Sequence, residues 1–197
     1  MPDRAWWAER DLLRRVWITK ASRFQAHRRL MKKKTLNLYL NTMLSVLLIV
    51  ISLLTTMLPE KFGANSLKLL AAYTIAASVM SIVLSLMDEK EAAESKAEQL
   101  HSCARELTEI YNKYSDNFIS SEDAREKAKH EYQRSLERCP INHDDIDFEH
   151  VRHESPELFD RRKSYAAHIM RYSLNVYGKV AVILAINSAL IYFILTT

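Results

Sequence analysis

Charged residues recur along most of the chain but vanish from three stretches, residues 35–59, 69–87 and 180–197. A helix on the outside of a soluble core keeps one face in water and rarely goes more than two turns without a charge. The pattern therefore predicts helices whose surroundings are apolar on every side. Thr35–Pro59 has 25 uncharged residues, enough to cross about 30 Å of hydrocarbon with some tilt. Leu69–Met87 has 19, or roughly 28 Å as a helix. The nine residues between them, Glu60 to Lys68, are short, polar and include Gly63, which predicts a tight hairpin of antiparallel spans. Val180–Thr197, with 18 residues, sits at the short limit of a span. It reads either as a third crossing or as a helix packed on the first two or lying in the interface. Its all-round apolarity favours a crossing.

The polar segments carry the period of amphipathic helices. Residues 3–34 repeat Trp6, Leu13, Val16/Trp17, Phe24 and Leu30/Met31 on roughly one face, with Arg and Lys elsewhere. This suits a helix lying in the membrane interface, with Trp6, Trp7 and Trp17 at headgroup level, or one packing its stripe on the second half of the chain. From Asp88, Leu100, Cys103/Ala104, Leu107, Ile110/Tyr111, Tyr114 and Phe118 recur at spacings of three and four. Ser120 and Asp123 mark the start of a second helix, in which Ala124, Ala128, Tyr132, Leu136 and Cys139 repeat until Pro140 ends it. A turn near 119–121 makes these two a long cytosolic hairpin with Cys139 level with Cys103. Ser155-Pro156 then predicts the start of a helix running through Gly178 into the last apolar stretch, with a kink at the glycine. The expected organisation is 1–34 basic helix, 35–87 transmembrane hairpin, 88–175 cytosolic helical domain and 176–197 C-terminal apolar helix.

Composition agrees with an all-α protein, since two glycines and four prolines in 197 residues are too few for the turns of a sheet. Charge fixes the expected orientation. Residues 1–34 hold eleven Lys/Arg against three acids, net +8, whereas residues 88–175 hold fourteen Lys/Arg against twenty acids, net −6. Two lysines in the 60–68 loop compete with eleven basic residues before the first span, which places the N-terminus and central region in the cytosol and the loop outside. A basic leader next to an apolar span points to an anionic bilayer surface before nucleic acid, and no direct nucleic-acid partner is expected. In that compartment Cys103 and Cys139 are expected to be reduced, small and buried.

No glycine-rich phosphate loop, His-Glu-x-x-His helix or Cys-x-x-Cys pair occurs, so no catalytic, cofactor or metal role is assigned and enzyme activity is not expected. Cys139, His143 and Asp145 lack any sign of the pocket and oxyanion site that a thiol triad needs. Ile141–Glu154 gathers three histidines and five carboxylates, a composition that could hold a divalent ion. Its spacing fits no standard zinc pattern, and a solvated connector capping its neighbours is the simpler reading.

The spans carry the other candidate chemistry. Asn37, Asn41, Ser45 and Ser52 line one face of the first; Thr74, Ser78, Ser81 and Ser85 line one face of the second; Asn187 sits near mid-depth in the last. Hydroxyls and amides on a lipid-embedded face serve either as a packing seam within or between protomers or as the wetted lining of a pore built from several copies. No ionisable side chain occupies a span, which argues against a proton-coupled transporter.

The Arg23–Leu30 leader (RFQAHRRL), the tight two-span hairpin, the long charged helical region and the Asn142-His143-Asp144 element together resemble the SLATT family, two-span effectors associated with SMODS nucleotidyltransferases and SLOG sensor domains. The resemblance implies a bacterial inner-membrane protein of an antiphage or conflict system. It would act as a homo-oligomer that opens pores when a separately encoded sensor, nucleotidyltransferase or reverse transcriptase signals infection. It also implies that Asn142, His143, Asp145 and Asp147 are family-typical positions of the cytosolic connector, without a catalytic role. A third apolar segment departs from the family's pair of spans. The reading from residues alone keeps an alternative, a membrane scaffold recruiting a soluble partner through its acidic helical region.

Overall fold

A computed structural model describes residues 10–90, 93–115, 122–159 and 165–196. Trp6, Trp7, the turn expected at 119–121 and the Ser120 cap lie outside the described residues. The described residues form α-helices and two short 3₁₀ turns, with no strand. In chain order these are α1 (Asp11–Met57), a 3₁₀ turn at Pro59–Lys61, α2 (Ala64–Lys90), α3 (Ala93–Ser115), α4 (Glu122–Arg138), α5 (Asp145–Glu154), a 3₁₀ turn at Pro156–Leu158 and α6 (Tyr165–Thr196). Three of them, α1, α2 and α6, are long and apolar enough to cross a membrane.

The chain divides into two compact units, Met1–Met31 with Glu94–Ser173, and Lys32–Ala93 with Leu174–Thr197. The first is held by the stripe on α3. Ala97, Leu100, Ala104, Leu107, Ile110 and Tyr114 are all buried, one residue per turn, and Leu107, Ile110 and Tyr114 meet Leu13 and Val16 of α1 and Ala128 of α4. A fully buried leucine contributes about 2–3 kcal/mol over an exposed one, so Leu13, Leu100 and Leu107, all without exposed surface, anchor this unit. Around them Thr19 and Tyr132 share a hydroxyl contact at 3.0 Å, and Lys113 binds Glu131 at 2.6 Å across α3 and α4.

Two sequence expectations need correction here. Cys103 of α3 and Cys139, just past α4, are not free thiols but a disulfide, with Cα atoms 6.1 Å apart. The antiparallel course of α3 and α4 brings the two levels together, and both side chains point into the same seam. Ser155-Pro156 does not start the last helix. Proline sets up one 3₁₀ turn, but Phe159 is extended (φ −131°, ψ 134°) and stops it, so α6 is described only from Tyr165. From there the helix runs uninterrupted through Gly178.

In the second unit the three apolar helices pack on each other. Leu40 and Leu44 of α1 meet Leu84 of α2 with Val180 and Ile183 of α6, while Ile51 meets Leu70, Tyr73 and Ala77 with Ile191 and Ile194. Contacts between α1 and α2 therefore run in opposite chain directions, and those between α1 and α6 in the same one. The inward-facing share is small. Only 6% of the apolar window of α6 is buried, and Val46, Ile49, Leu53, Ile75, Val79, Ile82, Val182 and Ile186 are among the exposed large side chains. Water would penalise an apolar surface of this extent, whereas lipid tails match it.

Candidate functional site

Two polar arrangements stand out, one within each unit. Among the apolar helices, side-chain hydrogen bonds cross from helix to helix. The Asn41 amide N–H donates to Ser85 Oγ at 3.2 Å, joining α1 to α2. The Tyr73 hydroxyl donates to Asn187 Oδ1 at 2.7 Å, joining α2 to α6, while Asn187 Nδ2 donates back to the Ile183 carbonyl at 2.7 Å. In hydrocarbon, groups left without such partners cost several kcal/mol. Sequence reading passed over Tyr73 because a lone aromatic in an apolar run looks like packing.

The remaining polar positions of the spans behave differently. Ser45, Thr74 and Ser78 donate to their own helix, at the carbonyls of Asn41, Ala71 and Thr74, over 2.7–2.9 Å. Ser85 does so to Ser81 at 3.0 Å. Ser52 serves through its carbonyl, which accepts from Thr56 at 2.8 Å. The hydroxyls of Ser45, Ser52 and Ser78 are exposed, so their free lone pairs face outward. Asn37 and Ser81 are half-buried.

In the other unit the connector docks on α1 through a buried ion pair. Arg29, 3% exposed, sends Nε to Asp147 Oδ1 at 2.7 Å and Nη2 to Asp147 Oδ2 at 2.9 Å, a bidentate grip on a carboxylate with no exposed surface, and Nη2 also reaches Asp144. Burial opposes the Arg29 charge, but the Asp147 and Asp144 carboxylates outweigh it and hold the guanidinium above its ordinary pKa. The same acids form a capping box at the start of α5, in which the Asp144 N–H donates to Asp147 Oδ2 at 3.2 Å. Asn142 Oδ1 accepts the His143 N–H at 3.0 Å, and Asp145 occupies the first turn of α5, exposed. Thus Asp147 lies at the centre of the lock, with Asn142, His143 and Asp145 around it. Arg29 was missed from sequence because it looked like one more cation in a basic leader.

Behind the lock, His150 Nδ1 lies 3.2 Å from the ring Nε2 of buried His168, and His153 stacks 4.9 Å from His168, centroid to centroid. Glu154 is 3.1 Å from His150 Nε2, and Glu149 lies 3.8 Å from both His168 and Arg171. A nitrogen-to-nitrogen hydrogen bond needs one lone pair, so His150 and His168 cannot both be imidazolium while it holds. No group of three or more His, Cys, Asp or Glu among the described residues is arranged to hold a metal ion.

His143 gives the lock a pH dependence. Burial pushes its pKa below the ordinary 6.5, with Asp147 opposing and Arg23 reinforcing the shift. The unfolded chain then binds more protons than the folded one just below 6.5, so the stabilisation is present above that value and lost as pH falls through it. Melting of the solubilised protein is expected at a lower temperature at about pH 5.5 than at about pH 7.5, with a shallower dependence in His143→Gln. A slope unchanged in that variant would remove His143 as the cause.

A chain with three packed apolar helices, and with a polar helical unit that holds a buried ion pair of its own, belongs to the class of helical integral membrane proteins. Comparison with protein families matches residues 8–193 to the SMODS and SLOG-associating 2TM effector domain family 5. The chain belongs to this SLATT family and is, as its members are described, a conflict-associated membrane effector. It carries three apolar helices where the family name counts two. No curated protein and no solved structure matches it.

Proposed function

We propose that the chain is a membrane-permeabilising effector that assembles from several copies in the bacterial inner membrane. In this reading the spans are 35–59, 69–87 and 180–197, the N-terminus and the polar unit lie in the cytosol, and a separately encoded sensor or signal releases activity. The observation that carries it is the outward row of hydroxyls. Ser45, Ser52 and Ser78 are exposed among exposed aliphatic side chains such as Val46, Leu53 and Val79. Beyond the carbonyls of its own helices, a single copy gives those positions only lipid, whereas neighbouring copies give them each other or a file of water.

Ser78→Leu/Ser81→Leu, or Asn41→Leu/Ser45→Leu, is therefore expected to reduce induced depolarisation of cells by about tenfold or more at unchanged expression, because a ring repeats each lost contact in every copy. Unchanged toxicity in both pairs would overturn the reading. The net charge of −6 over residues 88–175 favours a second one, a scaffold that holds a soluble partner. Liposomes loaded with dye separate the two, since a scaffold recovers its partner stoichiometrically and releases no dye.

A further inference from the structure

The compartment expected for the polar unit keeps thiols reduced, yet Cys103 and Cys139 form a disulfide. Both statements hold if the bond opens and closes during the life of the protein. Its surroundings favour that. Cys103 of α3 is half-buried and Cys139 is buried, so an attacking thiolate from solution meets Cys103 first. Cys139 lies between the end of α4 and the irregular stretch that leads to Asp144, so the bond is a covalent tie between that stretch and α3.

A buried cation lies at the same level. Val16 packs in one cluster with Ala128, and Thr19 meets Tyr132, so α1 and α4 advance together and Arg23 falls beside the last turn of α4, just before Cys139. On the other side Phe24, the residue after Arg23, meets His101 at 5.5 Å between ring centres, two residues from Cys103. The Arg23 guanidinium is buried, and its Nε and Nη1 have no hydrogen-bond partner among the described residues. Burial lowers its pKa more than Tyr132 and Glu106 raise it, and Glu106 is itself bound to Arg138 at 3.0 Å. His143, four residues beyond Cys139, feels the same cation. An arginine cannot shed its proton to escape such surroundings. With the disulfide closed, this cation has no anion of its own.

A thiolate would supply that anion, and a cation beside a cysteine lowers the thiol pKa and makes its sulfur a better leaving group. We infer that Cys103–Cys139 is a redox-active pair that exchanges with a dithiol carrier of the thioredoxin class, Arg23 being the cation that stabilises the Cys139 thiolate. A carrier thiolate attacks Cys103 Sγ, and the S–S bond breaks with its electron pair leaving on Cys139. The carrier's second thiolate then attacks the carrier sulfur of this mixed disulfide and releases Cys103. Two electrons pass to the pair and the carrier ends as a disulfide. One of its two protons goes to Cys103 and the other to solvent. Opening the bond frees the stretch before Asp144 from α3, and Asp144 is one of the two carboxylates that hold Arg29. The inference deepens the effector reading by giving it a control point, and takes from that reading only the cytosolic placement.

The test is thiol trapping with a maleimide mass tag, which separates dithiol from disulfide on a gel. The full-length protein in detergent, without denaturant, is expected to pass to the dithiol with thioredoxin and to return with oxidised glutathione. At a fixed glutathione ratio, Arg23→Met is expected to lower the dithiol-to-disulfide ratio about tenfold, the equivalent of about one pKa unit of lost thiolate stabilisation. Arg23→Lys, which keeps the charge, is expected to restore most of it. Arg23→Met is expected to melt no lower than wild type, since a buried cation without a partner does not stabilise the fold, so the change in ratio does not reflect unfolding. In growing cells the protein is expected mostly as the dithiol, closing within minutes of adding diamide. A bond that the native protein does not yield to thioredoxin, or a ratio unmoved by Arg23→Met, overturns the inference. Exchange that depends on Arg23 in vitro, alongside a bond that stays closed in growing cells, upholds the site and overturns the cytosolic placement.

Discussion

Arg29→Ala is expected to lower the unfolding free energy by about 3–5 kcal/mol, which is much of the total stability of an ordinary domain. The cost comes mainly from what is left behind. Asp147 has no exposed surface, and its carboxylate loses both guanidinium contacts at once, at 2.7 and 2.9 Å. A buried anion with only a backbone N–H for company is far less stable than one that meets water. Arg29→Lys is expected to recover part of the loss, because an ammonium supplies the charge but cannot grip both oxygens of Asp147 while reaching Asp144. Arg29→Met/Asp147→Leu should recover part of it, since both buried charges go while the Asp144 N–H loses its acceptor. Denaturant melts of the solubilised protein, followed by circular dichroism, check all three. An Arg29→Ala protein as stable as wild type would mean that water reaches the pair.

The second large effect concerns Cys103–Cys139. Their bond closes a loop with a sequence separation of 36, and a cross-link of that length removes denatured-state entropy equivalent to about 4 kcal/mol. Cys103→Ala/Cys139→Ala, or reduction of the wild-type protein, is expected to lower the melting temperature by several degrees or more. The direction matters for the proposed cytosolic placement, because the reducing cytosol opens such bonds and an oxidising one closes them. Equal melting with and without reductant would show that the cross-link adds nothing.

The period-bearing parts of this fold were open to reading, and the long-range pairings were not. The α3 stripe from Leu100 to Tyr114 follows from spacing alone, as do the three charge-free runs and the end of α4 before Pro140. Each is a local pattern that one helix surface enforces. Arg29 and Asp147 are 118 residues apart, and nothing in a basic leader says which of its eleven cations will be buried. The face of α1 illustrates this. Its apolar stripe was expected to meet either the membrane interface or the second half of the chain, yet Ser22, Arg23, Gln25 and Arg29 are buried beside Leu13, Val16 and Ala26. The cysteine pair was legible as a spacing but not as a bond, because bonding depends on compartment as well as on geometry. Of the polar positions in the spans, Asn41, Ser85 and Asn187 turn out to contact a second helix, and Ser45, Thr74 and Ser78 their own backbone. A stripe shows where contact is possible and leaves its partner open.

The two carboxylates at the head of α5 answer to two masters. Asp144 and Asp147 close the first turn of a ten-residue helix and, with the same oxygens, grip Arg29. A helix that short does not hold its shape unaided in water, so its existence is conditional, in the manner of an AND gate. Capping without Arg29 leaves two anions crowded together, and Arg29 without the cap leaves leading amides unserved. Whatever draws Arg29 aside unwinds a small, defined piece of chain rather than loosening the whole unit, which makes α5 the natural first casualty of any signal arriving at α1.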